Sequence, residues 1–215
     1  MSVSTLRATA RPRATAAMRL VEWACEVEPK PAAQRILAID PGTRVMGYAI
    51  LQGDGRQPPV PLLAGAERLL TVHDPLERLN AIHQKLVLLI RSYRPTVAAI
   101  EAPFCGKNAQ SMLKLGRAQG VAIQAMLQEG LTVQEYAPTK IKLSLTGHGQ
   151  ASKLQLKNVL QQLFPGVPIQ QLRYLDATDA LAIAYCHYYA GRAVAHTGKT
   201  SWADFVKHNP ERIRS

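Results

Sequence analysis

Carboxylates are scarce in this chain. Its 215 residues hold 15 Asp+Glu against 26 Lys+Arg, a formal net charge of +11. That surplus favours a polyanionic partner or an anionic membrane surface. Long apolar runs are also lacking: none approaches the roughly 18 residues that a membrane span needs. Nucleic acid is therefore the better-matched polyanion, and no membrane partner is expected. Cysteine is rare as well. Cys25, Cys105 and Cys186 are scattered, odd in number and without metal-ligand spacing, so they read as reduced thiols in a reducing compartment. What the chain does have is 47% apolar content, enough for one domain of ordinary size with a real core.

Charge and composition divide the chain into three. Arg7, Arg11, Arg13 and Arg19 all precede the first acid, Glu22, and residues 1–34 read as a basic, disordered extension. No apolar segment follows these arginines, which excludes a secretory signal. The Arg-rich, acid-poor composition leaves organellar import as the minor alternative to a cytoplasmic protein. The domain proper spans 35–190. A basic tail, 191–215, follows with Trp202 and Phe205 interleaved.

The domain is organised around Ile36-Leu37-Ala38-Ile39-Asp40-Pro41-Gly42, after which a second apolar run returns through Met46 to Ile50. Apolar runs joined by Pro-Gly read as buried strands in a hairpin. Asp40 then ends a central strand, where a carboxylate needs a partner such as a divalent cation. Plain turn chemistry is the competing reading of Asp-Pro-Gly. A third strand is expected over 62–70. Asp74-Pro75 opens a helix with an apolar stripe from Leu76 to Ile90 that Pro95 stops. A short buried strand, Val97 to Ile100, again runs into an acid, Glu101.

The loop after Glu101 carries Phe104 and Lys107, and Asn108 caps a helix to about Gln128 that bears Lys114 and Arg117. Gly130 ends it. A strand over 131–136 follows, then a short helix from Pro138 with Lys142 and another over 151–164 with Lys153. The last helix opens with Asp176 and Asp179, which share a face three residues apart. Helix capping is the better reading of that pair when it is taken without the other acids.

Asp40, Glu101, Asp176 and Asp179 together make four acids in a chain otherwise short of them. Oxygen-only donors favour Mg²⁺ or Mn²⁺ over zinc. A carboxylate cluster in a basic protein suits two-metal phosphodiester hydrolysis, with lysines offsetting charge on the phosphate.

Four segments carry a family resemblance: Ile39 to Arg44; Ile100 to Phe104 with Lys107-Asn108; Leu113 to Val121; and Asp176 to Ala182. In order and spacing they resemble RuvC, the bacterial crossover junction endodeoxyribonucleases, from about Arg35 to Tyr189. Ala102-Pro103 departs from the pair common in that family, and neither tail has a counterpart. The resemblance implies an α/β, RNase H-like fold: a five-stranded mixed sheet flanked by helices. It implies a homodimer that resolves Holliday junctions (four-way junction DNA) by symmetric paired nicks, leaving 5′-phosphate and 3′-hydroxyl ends. It makes Asp40, Glu101, Asp176 and Asp179 the ligands of two Mg²⁺ ions, with Mn²⁺ as a substitute. Lys142 and Lys153 fall near the scissile phosphate and Phe104 on a base-stacking aromatic; Lys107, Lys114 and Arg117 complete the expected DNA contacts. The RuvA–RuvB branch-migration complex is the implied partner. Three rivals remain at this stage: an actin-like or sugar-kinase ATPase, which needs a duplicated domain; a non-catalytic junction binder; and an RNase H-like enzyme acting on RNA.

Overall fold

The apolar runs flanking Pro41-Gly42 form the centre of the sheet, as strands buried on both faces require. A computed structural model describes residues 21–24, 33–103 and 108–196. Strand β1 is Val21–Ala24, β2 Gln34–Asp40, β3 Val45–Gly53, β4 Val60–Arg68, β5 Val97–Glu101 and β6 Thr132–Tyr136. The helices are α1 Pro75–Tyr93, α2 Ala109–Gln128, α3 Pro138–Thr146, α4 Lys153–Leu163 and α5 Leu175–His196. Spatial strand order is β1-β4-β3-β2-β5-β6. Pairing is antiparallel from β1 through β2 and parallel for β2–β5 and β5–β6.

The expected five-stranded mixed sheet is β2–β6. The sixth strand comes from the segment read as an extension outside the domain: Val21–Ala24 pairs along β4, with Trp23 opposite Ala64. An unpaired edge attracts any backbone that can reach it, and four residues are too few to show as a strand against an Arg-rich background. Residues 1–20 and 25–32, Phe104, Lys107, Trp202 and Phe205 lie outside the described residues. At the other end, the backbone of α5 continues to His196, past the expected domain edge at 190.

Alternation along the strands makes two cores. Ile36, Ala38, Val97 and Ala99 face one layer, with α3, α4 and α5. Leu37, Ile39, Ala98 and Ile100 face the other, against α1 and α2. Capping follows the sequence signals. Asp74 accepts from Leu76 N and Glu77 N, and Asn108 accepts from Ser111 N. Gly130, φ +82°, turns the chain out of α2.

Candidate active site

Parallel pairing of β2 with β5 aligns Ile39 with Ile100, so the next residue on each strand, Asp40 and Glu101, lies at the same end of the sheet. Both continue the face of Ala38 and Ala99, towards α5. The third acid arrives with that helix. On β3, Gly47 is the register partner of Asp40, and it meets the first turn of α5 so closely that a Cβ would lie 1.9 Å from the Asp176 carbonyl oxygen. A glycine inside a strand marks such an approach of another backbone. Because α5 begins at Leu175, Asp176 sits within the first turn, not ahead of it, while the Thr178 hydroxyl donates to Leu175 O at 2.6 Å.

Asp40, Glu101 and Asp179 line one cleft of about 120 Å³ together with Lys142 and Lys153. Ile141, Leu156 and Ile183 form part of its apolar wall. Lys153 Nζ donates to Asp179 Oδ2 at 2.5 Å. Asp176 is outside that lining but acts electrostatically on Asp40, Asp179 and Lys153. Lys114 and Arg117 are exposed on α2, in the opposite helical layer, and the structure does not bring them into the cleft.

The electrostatics are those of acids held together against their repulsion. Burial pushes Asp40 well above the usual carboxylate range, and the charges of Asp179, Glu101 and Asp176 push the same way against Lys153. Glu101 is also raised, by burial first, against the lowering effect of a hydrogen bond with Asp40. Burial likewise raises Asp179 although Lys153 opposes it. Burial works against a charged Lys153, yet its pKa is raised, because Asp179 hydrogen-bonds it and the acids surround it. Among the described residues no three acid, histidine or cysteine side chains are placed so that together they could hold one ion. The donor set nevertheless fits hard divalent cations. Among the described residues its lining has carboxylate oxygens and neither histidine nor cysteine, which is the Mg²⁺ and Mn²⁺ preference.

Two supports escaped the sequence reading. Gln119, 4% exposed on α2, donates from Nε2 to both the Glu101 carbonyl and Glu135 Oε2, each at 3.2 Å. It holds the end of β5 from the far side of the sheet. Ser152 caps α4 in a reciprocal box with Gln155, which sets Lys153 at the first helical position. Gln119 falls in the segment Leu113 to Val121 that carries the resemblance, but that segment assigns it no role, whereas Ser-x-x-Gln was a readable capping box. Ser152→Ala is expected to cost about 1 kcal/mol, a fall of about 2–4 °C in thermal midpoint for a domain of this size; calorimetry reads it.

A mixed sheet with acids at two adjacent strand ends and a third on the helix crossing them defines an RNase H-like nuclease class. The family model of crossover junction endodeoxyribonuclease RuvC matches residues 36–187. A RuvC from Bacteroides fragilis is 47% identical over 180 residues, 83% of this chain and 95% of that protein. One from Cytophaga hutchinsonii is 44% identical over 189 residues, 87% of this chain and 92% of that protein. The solved structure of Thermus thermophilus RuvC in complex with a Holliday junction substrate superposes with a TM-score of 0.67 at 26% identity, covering 74% of this chain and 96% of that one. The chain belongs to the RuvC family of crossover junction endodeoxyribonucleases, which are hydrolytic nucleases.

Proposed function

We propose that this protein resolves Holliday junctions in DNA recombination and repair, with Asp40, Glu101, Asp176 and Asp179 holding two Mg²⁺ ions that Mn²⁺ can replace. The observation that carries the reading is the convergence of Asp40, Glu101, Asp179 and Lys153 at one end of this sheet in a chain of this family. Bound there, the ions supply an activated water and stabilisation of the leaving 3′ oxygen. The residues supply the rest. The strand ends of β2 and β5 fix Asp40 and Glu101, and α5 brings Asp176 and Asp179 across them. Lys142, and Lys153 once it turns from Asp179, meet the scissile phosphate and offset charge that develops there.

Beyond this centre, Phe104 stacks on bases near the crossover, and Lys107, with Lys114 and Arg117 on the opposite helical layer, adds phosphate contacts outside the cleft. Symmetric paired nicks need two such centres, and a homodimer provides them. Residues 35–190 form the resolvase domain between the basic segments, and RuvA–RuvB is the branch-migration partner. Among the described residues no helix is long and apolar enough to cross a membrane, and we place the protein in the cytoplasm.

The test is cleavage of a mobile four-way DNA junction beside a linear duplex of the same sequence. Paired nicks on the junction only, dependent on Mg²⁺ or Mn²⁺ and leaving ligatable ends, are expected. Equal nicking of the linear duplex, or no nicking with either ion, would overturn the proposal.

A further inference from the structure

Arg44, Arg68 and Arg173 form a second basic group, on the β3–β4 side of Asp40, opposite in the sheet order to the β5–β6 side. Pairing of β3 with β4 sets Arg68 across from Val45. Val45 and Ala66, the residue two before Arg68, pack with Tyr174 and Ala177 at the start of α5. Arg68 continues that face and is half-buried there. The Arg44 carbonyl accepts from Leu69 N and Leu70 N, at 3.0 and 3.2 Å, which pins the β2–β3 turn to the end of β4. The Arg173 guanidinium carbon stands 5.6 Å from the centroid of the Tyr174 ring. Arg44 and Arg173 are exposed.

None of the three arginines joins the ion pairs among the described residues. The acid that neighbours Arg68, Glu67, follows the other face of β4, where Lys85 Nζ lies 4.0 Å from it. Three cations without acid partners among the described residues, at the rim of a site that is itself acidic, suit an external anion. Guanidinium is the side chain that grips phosphate with two parallel hydrogen bonds. Two strand spacings separate β2 from β4, about 10 Å. At 3.4 Å of axis per nucleotide along one strand, that is roughly three nucleotides.

We propose that Arg44, Arg68 and Arg173 hold the DNA backbone within about three nucleotides of the scissile phosphate. Lys142 and Lys153 then grip the strand at the cleft and the arginines grip it beyond the acids, so the strand is drawn over carboxylates that would otherwise repel it. Lying beyond the cleft, the arginines supply affinity and leave the chemistry to the cleft. The inference rests on the nuclease reading above and adds a phosphate site to it.

The experiment measures binding of the full chain to a fluorescent four-way junction in EDTA, from 50 to 200 mM NaCl. Wild type is compared with the triple variant Arg44→Gln, Arg68→Gln, Arg173→Gln and with the matching triple Arg→Lys variant. The slope of log affinity against log salt is expected to shrink by about 0.9 for each lost phosphate contact, hence by about 2–3 in the Gln variant. The Lys variant keeps most of the slope, which separates charge from misfolding. With Mg²⁺ at saturating enzyme, single-turnover cleavage by the Gln variant stays within about twofold of wild type, since no group touching the reacting atoms is changed. An unchanged slope overturns the inference, and so does a cleavage rate that falls at saturation while affinity holds. If wild type binds linear duplex as tightly as the junction, junction selectivity fails instead, and the same slopes on duplex still decide the arginines.

Discussion

Asp40→Asn is expected to abolish Mg²⁺-dependent nicking, by about 10³-fold or more or ~4 kcal/mol, while junction binding is kept or tightened. Removing one negative charge from the centre of the cluster costs the proposed metal site a ligand but spares the incoming phosphate a repulsion. The same change is expected to stabilise the metal-free protein at neutral pH. Asp40 is raised well above its ordinary value by burial and then by three neighbouring acids; Glu101 and Asp179 are raised as well, by burial first. A carboxyl with a raised folded-state pKa holds its proton more tightly folded than unfolded. Its contribution to stability is therefore greatest at low pH, and falls as pH climbs from the unfolded carboxylate value, about 4, through the raised one. In EDTA the wild-type thermal midpoint should decline across that window, and the Asn variant should decline less and melt higher at pH 7. Single-turnover cleavage and calorimetry from pH 4 to 8 check both halves. Wild-type nicking rates in the variant, or a lower metal-free midpoint than wild type at pH 7, would remove Asp40 from the centre of the cluster.

Gly47→Ala should be among the most damaging single methyls in the domain. The new Cβ would sit 1.9 Å from the Asp176 oxygen and 2.4 Å from its carbonyl carbon, both backbone atoms that cannot rotate away. Either α5 lifts from β3 or β3 bends beside Asp40. Overpacking of this kind costs about 3 kcal/mol or more, and it displaces the helix that carries Asp176 and Asp179. Chemical denaturation should show that loss, and single-turnover cleavage by the folded fraction should fall by about 10²-fold, as expected of misplaced reacting groups. A variant as stable and as active as wild type would mean that α5 does not rest on Gly47. Gly116, exposed on α2 with nothing within 4 Å of an added Cβ, is the control: Gly116→Ala should be neutral or slightly stabilising.

The acids were legible because their signals are local. An apolar run interrupted by Asp40 and another by Glu101 name two strand ends without reference to anything distant, and Asp176 with Asp179 fall three apart on a helix. The caps at Asp74 and Asn108 are equally local, and each is found making its bonds. The short strand β1 was not legible, since its pairing along β4 depends on an open edge created elsewhere in the chain. Gln119 was not legible either: its two acceptors lie 18 and 16 residues away on different strands.

By itself, the sequence determined which residue types could do this chemistry and on which elements they would sit, because strand and helix periods are properties of neighbouring residues. Only the tertiary structure decided which of them meet. Parallel register brings Asp40 beside Glu101 across 61 positions of chain. One missing side chain at Gly47 lets α5 descend far enough to add Asp179. Lys153 finds Asp179 because α4 packs along α5. Charges gather at one cleft where burial forces them to interact, and burial is a property of the packed chain, which no stretch of residues carries alone.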